Sequence, residues 1–147
     1  MAKKQKNDLE FFVPQTGKKT ELPFYVAKIS AGFPSPAEDF IERKLDLNEY
    51  LIKNPAATFF VKVSGQSMIN AGIHDGDILV VDRSLDAANN KIVIGVVNGE
   101  FTVKRLLKKN NKLFLVPENP DFKPIEINEA MDASIWGVVT YTIRKLV

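Results

Sequence analysis

Hydrophobic and polar residues alternate along much of the chain from Phe59 onward. In FFVKVSG, Phe59, Val61 and Val63 fall on one side and Lys62 and Ser64 on the other, the period of a half-buried strand. DILVVD, ending at Asp82, is a short apolar run of the kind a covered strand shows. KIVIGVV, then Asn98-Gly99, then EFTVKRL predicts a hairpin, because Asn-Gly suits the positive φ angles of a type I′ turn. KLFLVP and SIWGVVTYTIRKL predict further strands. Upstream the texture changes. Residues 1–31 carry no sustained periodicity and contain PQTGKKTELP, a loop signal. Pro34 and Pro36 hold their neighbours extended. The stretch from Ser35 to Tyr50 predicts a short helix, with Phe40, Ile41 and Leu45 at helical spacing and Ser35 as its cap. The sum is a mostly β fold, a bent or partly closed sheet. An N-terminal arm, residues 1–31, precedes a domain at 32–147, with a linker and short helix over 32–58 and the β core over 59–147.

Composition adds bounds to this picture. The chain has 147 residues, 45% hydrophobic and 26% charged, which suits one globular domain with an attached arm. It has no cysteine, which excludes a disulfide framework and a thiolate zinc site and fits a reducing, cytoplasmic setting. No apolar run approaches the roughly 18 residues of a membrane span. The basic start, MAKKQKNDLEFF, meets acidic residues before any long apolar stretch and is a poor signal peptide. Residues 1–31 hold six lysines against three acidic residues, whereas residues 32–147 hold fourteen basic and fifteen acidic ones. The globular part lacks the excess positive charge of a nucleic-acid binder, so little direct DNA binding is expected, and the basic arm reads as a solvated tail.

The candidate chemistry sits where the first strand ends. SGQSM places Ser64 and Ser67 around Gly65. A serine hydroxyl is a weak nucleophile and needs a neighbouring base. The one histidine, His74, lies in GIHDGD, a turn sequence. Lysine is the other base that serine uses, and it must be neutral to accept a proton. Its pKa then has to fall from about 10.4 toward roughly 7–8, which takes burial or a second cation. Lys104, in EFTVKRLL, is the candidate. Alternation sets it with Glu100 and Thr102, opposite Phe101 and Val103, which fits a solvated strand face as readily as a buried base.

SGQSM, GDILVVD, IVIGVVNGEFTVKRL, LVPENPDFKPI and WGVVTY together resemble the self-cleaving serine peptidases of the LexA and UmuD type. The stretch AGFPSPAEDFIERKLDLNEYLIKNPAATFFVKVSG narrows the resemblance to the UmuD type, accessory subunits of an error-prone SOS DNA polymerase. The similarity covers roughly residues 22–147, with the motifs in the same order. It implies a bent, mostly β peptidase domain found as a homodimer, with Ser67 as nucleophile and Lys104 as general base. It implies neither metal nor cofactor. Backbone N–H groups of Gln66 and Ser67 are the expected oxyanion donors. The expected scissile bond is Ala31-Gly32 in KISAGFPSP, where small residues let the backbone approach a tight cleft. UmuD-like chains can carry cysteine where Ala31 stands, and alanine is what LexA-type repressors use.

The same resemblance implies partners. RecA filaments on single-stranded DNA are expected to promote the cut, and the trimmed dimer to join a UmuC-type polymerase. ELPFYV, residues 21–26, sits where related chains carry a proposed sliding-clamp contact, so Leu22, Phe24 and Tyr25 either fill a groove on the clamp or pack against their own domain. A LexA-like repressor or phage regulator is the alternative. It calls for a helix-turn-helix ahead of the cleavage site, and the 31 residues before Gly32 show no amphipathic helix pair. The first twenty residues extend past the usual start of the family, and LEFFVPQTGKK, residues 9–19, is given no role by the resemblance.

Overall fold

A computed structural model describes residues 9–15, 17–26 and 41–147. The chain forms two compact units, one of residues 1–14 with 54–147, the other of residues 15–53.

The larger unit is one antiparallel sheet curled into a half-barrel. Its strands are β1 (Leu9–Phe12), β4 (Thr58–Val63), β5 (Ile78–Asp82), β6 (Ile92–Val97), β7 (Glu100–Lys109), β8 (Lys112–Val116), β9 (Ile125–Ile127) and β10 (Ala133–Ile143). The spatial order is β1-β4-β5-β10-β6-β7-β8-β9. Alternation in β4 behaves as read: Val61 and Val63 are buried and Lys62 is exposed. Asn98 and Gly99 take φ values of 50° and 81°, the type I′ hairpin that joins β6 to β7. Neighbouring residues feed two separate cores. Ile94 packs with Val61, Leu79, Val81 and Val103, while Val93 packs with Leu106, Leu115 and Val138. Two register shifts, at Ile135/Gly137 and at Val139/Tyr141, bend β10 across the middle of the sheet.

The smaller unit pairs β2 (Leu22–Val26) with β3 (Ile41–Leu45), Leu22 opposite Leu45. The short helix α1 (Leu47–Leu51) follows. Asp46 caps it, its carboxylate accepting from the backbone N–H of Asn48 at 2.9 Å and of Thr20 at 2.8 Å. The Thr20 bond and the cap bonds hold that carboxyl below the usual range.

Two expectations change here. Of the helix foreseen from Ser35 to Tyr50, residues 35–40 lie outside the described residues, Ile41–Leu45 is a strand, and the helix is Leu47–Leu51, capped by Asp46. Ile41 and Leu45, four residues apart, share a face in a strand as well as in a helix, and a partner strand at Leu22–Val26 decides between them. Leu9–Phe12, inside a segment read as lacking periodicity, is a strand because β4 offers it an edge.

Candidate active site

Ser67 is carried by an excursion between β4 and β5. Its neck is closed where the Val63 N–H donates to the Asp77 carbonyl at 2.9 Å and the Gly76 N–H donates to the Val63 carbonyl at 2.7 Å. Gly65 turns the chain at φ 93°, a left-handed value that glycine adopts without strain, and its N–H donates to Asp75 Oδ1 at 2.8 Å. Met68 and Ile73 anchor the excursion in the first core. Ser64 is an exposed residue at the strand end.

Lys104 comes from β7, where it pairs with Val93. The face that alternation left open is covered, because Lys104 is only 8% exposed. Its Nζ lies 3.1 Å from Ser67 Oγ, 2.7 Å from Thr102 Oγ1 and 3.0 Å from the Val103 carbonyl oxygen. Thr102 and Val103 direct the amine across the strand toward the serine. Leu9, Met68, Ile73, Phe101, Val103 and Phe122 give the surrounding groove its apolar walls. His74 is exposed, lies off this groove, and donates its backbone N–H to Asp77.

The loop after β8 clasps the serine turn. Asn119 donates its side-chain amide to the Gln66 carbonyl at 2.8 Å. The Glu118 N–H donates to the Ser67 carbonyl at 2.9 Å, and the Glu118 carbonyl accepts from the Asn70 N–H at 2.9 Å. The Glu118 carboxylate pairs with Arg105, next to Lys104. The Gln66 carbonyl shares a peptide plane with the Ser67 N–H, so fixing one orients the other. Among the described residues, neither the Gln66 nor the Ser67 N–H donates to a backbone carbonyl. Thr102, Glu118, Asn119, Phe122 and Leu9 were not singled out in the sequence. Thr102 could have been found as the neighbour of Lys104 on the same strand face. LVPENPDFKPI entered only as one of the motifs that carry the resemblance, with no role read for its side chains.

Ala31 and Gly32 lie outside the described residues. Leu22, Phe24 and Tyr25 are on β2, in the smaller unit, with Leu22 58% exposed. Among the described residues, no cluster of His, Cys, Asp and Glu could hold a metal ion, and no helix is long and apolar enough to cross a membrane.

The Peptidase S24-like family pattern matches residues 23–140, which include the serine, the lysine and the clasping loop. The chain belongs to the S24-like peptidase family. These are, as a group, self-cleaving serine peptidases. Protein MucA of Salmonella typhimurium is 50% identical to this S24-like peptidase over 125 residues, 83% of this chain and 84% of MucA. Protein SamA of Salmonella typhimurium strain LT2 is 46% identical over 127 residues, 86% of this chain and 88% of SamA. The LexA repressor of Acidithiobacillus ferrooxidans is 42% identical over 129 residues, 86% of this chain but 62% of the repressor. The resemblance to the UmuD type therefore holds within the S24-like family.

Proposed function

We propose that this protein cuts its own chain at Ala31-Gly32 with a Ser67/Lys104 dyad. The cut would be promoted by RecA filaments on single-stranded DNA, and the trimmed homodimer would serve a UmuC-type polymerase in error-prone synthesis across damaged template. The observation that carries the reading is the 3.1 Å contact between Lys104 Nζ and Ser67 Oγ in a groove with apolar walls.

The steps follow from that contact. Neutral Lys104 takes the hydroxyl proton as Ser67 Oγ attacks the Ala31 carbonyl carbon. The N–H groups of Gln66 and Ser67 hold the oxyanion. Collapse breaks the Ala31–Gly32 bond, and Lys104 returns its proton to the departing Gly32 amine. Water then attacks the Ser67 ester as Lys104 takes its proton, and the acyl–Oγ bond breaks as Lys104 passes that proton to Ser67 Oγ, releasing the Ala31 carboxyl group and restoring the neutral dyad. Each chain is cut once, at Ala31-Gly32 and not at its other Ala-Gly pair, Ala71-Gly72, so the reaction is a switch. RecA acts by favouring the conformer with the arm in the groove. Leu22, Phe24 and Tyr25 on β2 remain the proposed contact to a sliding clamp.

The test is the mass of the purified protein after incubation with RecA filaments on single-stranded DNA. Fragments ending at Ala31 and beginning at Gly32 are expected, and a cut elsewhere in the arm would remove the basis for the assignment. Gly32→Val should block the cut, because a β-branched side chain obstructs backbone approach to Ser67, while Ala31→Cys should be tolerated. Asn119→Asp keeps the shape and loses the donor to Gln66. Cleavage should slow by roughly 10–100-fold, a fraction of the loss on deleting an oxyanion donor itself, with the pH profile unchanged in shape. A normal rate in a folded Asn119→Asp chain would release Asn119 from that role.

A further inference from the structure

The strand β1 lies in the segment that the cut would remove, and the chemistry above does not need it. Its seat is nonetheless specific. Leu9 faces Val63, Glu10 faces Lys62, Phe11 faces Val61 and Phe12 faces Phe60. Leu9 is buried in the first core with Val61, Val63 and Met68. Phe11 sits against three rings, at 4.6 Å from Phe101, 5.8 Å from Phe59 and 6.3 Å from Trp136 between centroids. Phe101 in turn meets Trp136 edge-on at 4.9 Å. β1 is the outermost strand, so β4 is an inner strand only while β1 is present. Withdrawing β1 leaves the outer N–H and C=O groups of β4 without ladder partners. The same step bares the side chains that Leu9 and Phe11 cover. An open edge beside an apolar strip is a template for another strand.

We propose that β1 is a removable cover, and that trimming the arm turns the outer edge of β4 into a docking site for an extended segment of a partner protein. This rests on the reading that the chain is cut at Ala31-Gly32. β1 itself defines what fits. The occupant is a strand antiparallel to β4, with an apolar residue beside the Ser67 groove, an acidic residue across from Lys62, and an aromatic residue among Phe59, Phe101 and Trp136. Main-chain hydrogen bonds supply affinity, and the aromatic and acidic positions supply selectivity. In the intact chain β1 excludes competitors because it is tethered, at an effective concentration on the order of millimolar. Once cut, the arm is a separate molecule that dilutes away, and the site opens.

The test uses the full-length chain carrying Ser67→Ala, so that the arm stays attached. One version keeps β1, a second carries Phe11→Ser, and a third carries Leu9→Asp with Phe11→Ser to unseat the strand. The probe is a synthetic peptide of residues 7–14, NDLEFFVP. Trp136 is the single tryptophan and packs on Phe11, so its emission reports the seat. Unseating should shift that emission to the red, and the peptide should reverse the shift. Peptide binding to the unseated chain should be at least tenfold tighter than to the chain with β1 in place, and a peptide with Phe11→Ser should bind at least tenfold more weakly. Equal binding to all three chains, binding to none, or self-association of the unseated chain that shuts the peptide out overturns the proposal. Phe11→Ser alone covers the case in which the double variant does not fold, and a folded Phe11→Ser chain with no gain in binding also counts against it. No cleavage is needed for these readings. Normal cutting with no peptide binding therefore overturns the docking site alone, and peptide binding in a protein that never cuts itself overturns only the cleavage reading.

Discussion

Ser67→Ala is expected to stop self-cleavage, with the rate falling by at least about 10³-fold and the fold retained. Lys104→Met should do the same. Methionine keeps the apolar stem that fills the groove wall and removes the amine that lies 3.1 Å from Ser67 Oγ. The two losses should not add in the double variant, because nucleophile and base act as one unit. The wild-type rate should climb with pH and level off once the amine is deprotonated, since only the neutral form is a base. Whatever residual rate Lys104→Met retains should show no such climb. The measurement is the fraction cut over time, by mass, from neutral pH to about pH 10, beside a circular dichroism check of folding. A Lys104→Met chain that cleaves at the wild-type rate would falsify the dyad.

The second large effect concerns stability. The Asp77 side chain is fully buried and accepts two bonds from Arg144, at 2.8 Å each, one from Thr142 Oγ1 at 3.0 Å and one from the His74 N–H at 2.9 Å. Arg144 also donates to the Gly72 carbonyl at 2.6 Å, tying the end of β10 to the excursion that carries Ser67. Burial pushes the Asp77 carboxyl up, but Arg144 and the other donors outweigh it and hold the group below the usual carboxylate range. Arg144→Ala leaves that carboxylate buried with two donors fewer. The fold should lose stability, by less than for a wholly buried pair because Arg144 is 35% exposed and partly screened by water. The melting temperature should fall accordingly. The pH dependence has a fixed sign. A carboxyl whose folded-state pKa is depressed stabilises the fold above its unfolded value of about 3.9, and that contribution disappears as pH falls through the folded-state value. The gap between wild type and Arg144→Ala should be full at neutral pH and shrink below about pH 4. Denaturant titrations at several pH values would detect it, and a gap of the same size at pH 7 and pH 3 would contradict the account.

Local signals were legible wherever the deciding partner was a near neighbour. The alternation of Phe59, Val61 and Val63 and the Asn98-Gly99 hairpin needed nothing beyond the turn and the strand period, and both are in the structure. Lys104 was different. Alternation assigned it a face, but whether that face met water depended on a serine turn 37 residues earlier in the chain. The pairing of Ser67 with Lys104 was expected from the resemblance of the motifs and not from periodicity. Asn119 was invisible as a site residue for the same reason, since its partner Gln66 is 53 residues away.

What the sequence determined by itself was the inventory and the local geometry: a mostly β chain, a serine in a glycine turn, a lysine inside a strand, and one hairpin with a defined turn. These follow from backbone dihedral preferences and from side-chain period, which act over a few residues. What the tertiary structure decided was which faces are buried and which edges are taken. Ile41–Leu45 became a strand because Leu22–Val26 lay alongside it, and Leu9–Phe12 became a strand because the edge of β4 was open to it. Hydrogen-bond partners in a sheet come from distant segments, so a four-residue run such as LEFF carries too little pattern of its own to announce its place.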